Sequence, residues 1–293
     1  MDVLTKVALA TCAQVPDGDD EAAPVIAALA DRGVEAAPAV WDDDGVDWNA
    51  FDLVVIRSTW DYPGRREEFL VWAESLPLVL NSPEVLRWNT DKRYLETLGA
   101  DAVPSTFVEP GQEFRTPDSA FVVKPAVGAG SIGAARYESG DSRAENHVGE
   151  LHAAGKTVLV QPYVEAIDRE GETALMYVGG SFSHAVHKAA LLTAGAEPGS
   201  GLYLEETIRE TRAEEREHEV AERALAAIPF AAKDLLYARV DLLPGPVVLE
   251  VELTEPSLFV GYAEGAVDRF ADAIAAASQR RRMSAENGPI ASQ

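Results

Sequence analysis

The chain of 293 residues has one cysteine, Cys12. A single thiol excludes an intramolecular disulfide and fits a reducing cytoplasm, so the fold has to be held by its core. Long hydrophobic runs are also missing: no stretch approaches the roughly 20 apolar residues that span a bilayer. The apolar opening "TKVALATCAQ" is short and meets "PDGDD" directly, so it reads as a first buried strand rather than a secretory signal. Positive charge is scarce, with 25 Lys and Arg against 49 Asp and Glu and a formal charge of -24. That balance excludes nucleic acid and an anionic membrane as main partners, and any phosphate site must be local. Much of the acid reads as solvated helix face, as in "EETIRETRAEEREHEVAERAL" (205 to 225).

What the chain does have is 47% hydrophobic residues, enough to bury the cores of two or three packed units. Residues 5 to 60 alternate strand, helix, strand, strand ("KVALAT", "EAAPVIAALADRG", "VEAAPAVW", "FDLVVIRSTW"), the pattern of a small parallel α/β unit whose ligands lie beyond the carboxyl ends of its strands. Arg57, Ser58, Thr59, Trp60, Asp61 and Tyr62 then line a cleft edge, or else Trp60 and Tyr62 pack in the core and Asp61 caps the next helix. "LVLNSPEVLRWNTDKRYLETLGA" breaks the chain and starts a helix with Thr90 or Asn89 as its N-cap. A second α/β unit spans about 104 to 165. "GETALMYVGGSFSHAVHK" reads as a hairpin turned at Gly179-Gly180, and "AALLTAGAEPGSGLY" as a mobile stretch whose residues 190 to 202 form a lid. After the acidic helix comes a second hairpin, "LYARVDLLPGPVVLEVELTEPSLF", then a closing helix at roughly 262 to 282 and a loose tail, "MSAENGPIASQ".

Two stretches carry chemistry. In "FVVKPAVGAGSIGAARY" (121 to 137) an apolar strand ends in Lys124 and enters a glycine loop, where amides turned to one point beside a lysine suit phosphate oxygens. Taken alone, the loop fits a plain hairpin turn as well. In the second hairpin, Arg239 and Asp241 share a face, as do Glu250 and Glu252. A four-residue turn at 243 to 246 sets 242 opposite 247 and 239 opposite 250, so all four charges share one face. Three carboxylates together call for a cation, and oxygen ligands without Cys or His suit magnesium. The alternative is a solvated outer face of an edge hairpin.

"NTDKRYLETLGADAVPST", "FVVKPAVGAGSIGA", "VLVQPYV", "GET" and "ARVDLL...VLEVELTEPS" stand in the order found in the ATP-grasp superfamily, which the chain resembles over nearly its whole length. The resemblance implies an α/β (α+β) fold of three subdomains: residues 1–88 on the substrate side, a central lid subdomain at 89–165, and a C-terminal subdomain at 166–293 with the metal hairpin. ATP would lie between the second and third. It also implies that Lys92 and Lys124 hold the α and β phosphates, and that the loop with Gly128, Gly130, Ser131 and Gly133 closes over the β and γ phosphates. Gln161, Pro162, Tyr163 and Val164 would meet adenine and Glu172 the ribose. Asp241, Glu250 and Glu252 match metal positions for two magnesium ions, replaceable by manganese. Arg239 matches the arginine that steadies the reacting oxyanion. Lys188 either meets the γ phosphate or is a surface lysine. Many relatives have asparagine at the position of Glu252, which puts the metal number in question.

"RSTWDYPGRREEFLVWAE", "WNTDKRYL" and "GSFSHAVHK" are similar to the cycloserine-pathway branch, whose member cyclises O-ureido-serine. That implies antibiotic biosynthesis and activation of a small amino acid as an acyl phosphate, followed by attack of an internal nitrogen. Arg57, Thr59, Trp60, Asp61 and Tyr62 would clasp the zwitterion, arginine taking its carboxylate and aspartate its ammonium. The rival readings are an intermolecular amide or dipeptide ligase and a nucleotide-binding protein without catalysis. The set Lys124, Arg239, Asp241, Glu250 and Glu252 counts against the latter. A homo-oligomer is left open.

Overall fold

A computed structural model of the chain describes residues 5–286. Its first unit runs β1 (Thr5–Thr11), α1 (Ala22–Ala30), β2 (Val34–Val40), β3 (Leu53–Ser58), α2 (Arg66–Ser75), β4 (Val79–Leu80) and α3 (Pro83–Asn89). The four strands form a parallel sheet in the order β2-β1-β3-β4. Every residue of β3 is buried, the continuous apolar reading expected of a parallel strand covered on both faces. One face packs Val7, Leu9, Leu53 and Val55 on α1, the other packs Ala8, Val54 and Ile56 on Phe69 and Leu70 of α2.

The second unit comprises β5 (Thr106–Val108), β6 (Phe121–Pro125), β7 (Ala135–Tyr137), α4 (Arg143–Ala153), β8 (Val158–Pro162) and the short α5 (Ile167–Glu170). Its sheet, ordered β5-β8-β6-β7, is antiparallel. Phe121 and Val123 point into a core shared with Ala144, Val148 and Leu151 of α4. The alternation of β6 therefore turns Val122 and Lys124 to the other side.

The third unit holds β9 (Glu172–Val178), β10 (Ser181–Lys188), β11 (Ile208–Thr211), α6 (Glu215–Ala227), β12 (Tyr237–Leu243), β13 (Val247–Glu252) and α7 (Ala266–Glu286), with the antiparallel sheet order β11-β10-β9-β12-β13. Ala238, Val240 and Leu242 of β12 pack on Val220, Ala224 and Leu225 of α6. The odd-numbered positions, Arg239 and Asp241 among them, must then face the opposite side. Among the described residues no helix is long and apolar enough to cross a membrane.

Several boundaries differ from the sequence expectations. The helix near 83 begins at Pro83, and the next helical segment, a 3-10 stretch at Lys92–Asp101, is capped by Asp91, whose side chain accepts from Arg93 N; neither Thr90 nor Asn89 is the cap. The acidic run at 205 to 225 is not one helix. Ile208–Thr211 pairs with β10, and α6 starts at Glu215 behind a capping box of Glu214 and Glu217. The closing helix continues through 283 to 286, and the rest of the expected tail, 287 to 293, lies outside the described residues. The second hairpin keeps its shared face but not the expected register: Arg239 opposes Glu252, Asp241 opposes Glu250, and Leu243 opposes Val247. A bulge beside Asp241 and Leu242 supplies the offset, leaving Val248 and Val251 both inward against α6.

Candidate active site

A cleft of about 610 Å³ opens between the second and third sheets. The expected nucleotide residues Lys92, Lys124, Gly128, Gly130 and Ser131 line it, as do Gln161, Pro162, Tyr163, Val164 and Glu172. Gly133 stands just behind, at φ +73°, and its N–H donates to Gly199 O. Gly130 at φ +58° accepts from Leu204 N, and a Cβ there would sit 2.7 Å from that of Tyr203, so only glycine lets residues 202 to 204 pass over the loop. The stretch expected to form a lid has no regular element between β10 and β11, yet it is fastened to the glycine loop through Gly199, and the chain just after it through Leu204.

The cleft floor is a lattice of opposed charges. Lys124 Nζ lies 2.6 Å from Glu250, and Lys92 Nζ lies 3.4 Å from its other oxygen while donating to Gly128 O at 3.0 Å. Arg239 grips Asp241 with Nε and Nη2 (2.8 and 3.0 Å) and reaches Glu252 at 2.5 Å. Lys188, buried rather than on the surface, is shared by Asp241 (3.1 Å), Glu206 (3.0 Å) and Glu172 (3.3 Å). Burial alone would raise Glu250, but the two lysines outweigh it and hold the carboxyl well below its ordinary value. Burial lowers Lys188, but Asp241 and Glu172 outweigh it and set it well above. Glu252 shares Arg239 with Asp241, burial prevails, and its carboxyl is pushed up to about 7.

Asp241, Glu250 and Glu252 thus share a face, but the expected three-carboxylate magnesium site is not drawn together. Among the described residues no three His, Cys, Asp or Glu side chains converge for an ion: Asp241 and Glu252 turn to Arg239, and Glu250 turns to Lys124. The donor chemistry still fits magnesium, with Asp241 and Glu250 directly paired across the hairpin and only hard oxygens at hand.

On the substrate side the structure divides the expected set. Trp60 and Tyr62 line the cleft; Arg57, Thr59 and Asp61 do not. Arg57 runs inward to Glu21 at 2.6 Å and stacks near Tyr237 and Phe270. Ser58 and Thr59 are fully buried, and Asp61 is held by Trp41 Nε1 (2.8 Å) and Arg65 (2.7 Å). The strand ends at Ser58 and a 3-10 turn at Tyr62–Gly64 follows, so strand alternation stops before these side chains are aimed. Sequence reasoning missed Asp19 and Glu21, although the rule that ligands lie beyond strand ends points equally to the turn after β1. It also assigned no role to Glu255, whose signal was a lone acid in the otherwise uncharged "LTEPSLF".

Comparison with known proteins agrees with this geometry. The family described as "D-cycloserine synthetase DcsG, N-terminal domain" matches residues 7–81. The chain is 38% identical to a cycloserine biosynthesis protein, DcsG, of Streptomyces lavendulae over 283 residues, covering 88% of this chain and 93% of the relative. Its structure is similar to the crystal structure of D-cycloserine synthetase DcsG, with TM-score 0.83 and 35% identity over 93% of this chain and 99% of that one. The D-alanine–D-alanine ligase of Bacillus anthracis, solved with ATP, shares the fold at TM-score 0.64 and 16% identity, over 97% and 100% of the two chains. With the lysine and carboxylate lattice between its second and third sheets, the chain belongs to the DcsG family of ATP-grasp ligases, ATP-dependent enzymes that form carbon–nitrogen bonds.

Proposed function

We propose that the protein phosphorylates the carboxylate of O-ureido-D-serine with ATP and closes the activated molecule onto its own nitrogen to give D-cycloserine. The observation that carries this reading is the contact across the cleft, where Lys124 of the second sheet meets Glu250 of the third at 2.6 Å. Such a lattice can exchange partners when nucleotide and magnesium enter. Lys92 and Lys124 turn to the α and β phosphates, the loop from Gly128 to Gly133 covers the β and γ phosphates, and Asp241, Glu250 and Glu252 take metal, as two ions for which manganese can substitute. Bound there, the metal supplies charge neutralisation of the phosphates. Adenine lies along Gln161 to Val164. Glu172 leaves Lys188 for the ribose hydroxyls, and Lys188 serves the γ phosphate.

A substrate carboxylate oxygen then attacks the γ phosphorus and ADP departs, leaving an acyl phosphate. Arg239, fixed by Asp241 and by Ser257 O at 3.0 Å, steadies the developing carbonyl oxyanion. The ureido nitrogen next to oxygen attacks the carbonyl carbon. The carbon–oxygen bond to phosphate breaks, phosphate takes the electron pair, and the nitrogen gives up its proton. Addition of water to the remaining carbamoyl group releases carbon dioxide and ammonia. A cleft of about 610 Å³ shared with a nucleotide leaves room for one compact amino acid, and 38% identity to a cycloserine biosynthesis protein supports ring closure.

The test is ADP release with mass spectrometry of the product, given O-ureido-D-serine and no added amine. Product of the mass of cycloserine is expected. Turnover only with a second amine, and a product equal to the two joined less water, would establish the intermolecular ligase instead.

A further inference from the structure

Among the described residues of the cleft wall, Glu255 is a buried acid that the lattice does not serve. Glu21, Glu172, Asp241, Glu250 and Glu252 each have an ion-pair partner within 4.0 Å. Glu255 lines the same cleft, is 9% exposed, and among the described residues forms no ion pair. The Tyr62 hydroxyl lies near enough to act on its side chain, and its backbone carbonyl accepts from Trp60 Nε1 at 3.1 Å. Two residues of the segment that follows β3 thus flank it. Tyr62 is itself fixed by stacking on Phe69 at 5.0 Å. Lys92 and Arg239 lie near enough to act on Glu255 electrostatically, but Glu250 and Asp241 already engage them.

A carboxylate held in an apolar wall needs a counter-charge, and aromatic faces beside it favour a compact cation. Trp60 and Tyr203, 5.0 Å apart edge to face, line the cleft with Tyr62 on the same side. Asp61, the acid first expected to meet an ammonium, is occupied by Arg65 and Trp41 and does not line the cleft.

We propose that Glu255, positioned by Tyr62 and flanked by Trp60, binds the ammonium group of the amino-acid substrate. The assignment rests on the reading of the cleft as an amino-acid-activating site and names the residue that selects an amino acid over a plain carboxylic acid.

The full-length protein saturated with ADP and magnesium is titrated calorimetrically with O-ureido-D-serine and with its des-amino counterpart, 3-(ureidooxy)propionate. The wild type should bind the amine at least about tenfold more tightly, a preference that Glu255→Gln should abolish while ADP affinity stays within about twofold. Tyr62→Phe, which keeps the ring and loses the hydroxyl, should reduce the preference about threefold, and supplies the same readout if the glutamine variant does not fold. Absence of the preference in the wild type, its persistence in Glu255→Gln, or an equal loss of ADP affinity, which would make Glu255 part of the nucleotide and metal site, overturns the assignment. Preferential binding without ADP release or ring-closed product would reject cyclisation and leave the ammonium site standing.

Discussion

The end of β3 and the β12–β13 hairpin carry the same kinds of residue and put them to opposite uses. On the hairpin, two paired strands hold Arg239, Asp241, Glu250 and Glu252 on one face, toward the cleft. At the end of β3, Arg57 turns into the body of the protein to Glu21, and Asp61 turns sideways to Arg65. Glu21 in turn accepts from Leu258 N and Val260 N, so the Arg57 pair ties the first unit to the third. Charges of the first region fasten the scaffold, whereas those of the second neutralise one another on the cleft floor. The difference comes from backbone regularity: a strand pair aims its side chains, and a strand end followed by a tight turn does not.

The largest effect should come from Arg239. Arg239→Met strands Asp241 and Glu252 with less counter-charge, since Asp241 keeps only a share of Lys188. Loss of about 3 kcal/mol of stability in urea melts is expected, with turnover reduced at least about 100-fold. Near-normal stability would place the guanidinium outside the lattice.

Next is a gain of stability. Burial and the nearby Glu252 push the Glu255 carboxyl up from its ordinary 4.5 to about 8. Between those values the folded protein keeps a proton that the unfolded chain releases, so wild-type stability should fall as pH rises from about 5 to 8. Glu255→Gln removes that penalty. Ligand-free melts should show the variant gaining on the wild type with pH, by an amount on the order of a few kcal/mol at pH 8. Parallel pH profiles of the two would contradict the buried, unpaired state of Glu255.

The smallest is Lys124→Ala, which should weaken ATP binding at least about tenfold, or about 1.4 kcal/mol. Unchanged calorimetric affinity would remove the nucleotide from this loop.

How far the sequence could be read follows the same division. The β6 strand and its glycine loop, the hairpin's shared face and the strand ending at Pro162 were legible because period-two alternation and glycine's positive φ are local properties. The hairpin register was not, since one extra residue in a bulge leaves no mark on the pattern. Strand β11 was hidden inside an acidic run because its pairing with β10 is supplied by distant residues. Arg57 and Asp61 could not be aimed, since Glu21 and Trp41, their partners, come from other elements.

The central claim is that the lysines and carboxylates of the cleft are one another's stand-ins for nucleotide and metal. A crystal structure of the protein with ADP and magnesium tests it most directly. The account predicts that Lys124 and Lys92 leave Glu250 for phosphate oxygens while Asp241 and Glu250 ligate the metal. A Lys124–Glu250 contact still at 2.6 Å, with the nucleotide bound elsewhere, would contradict it.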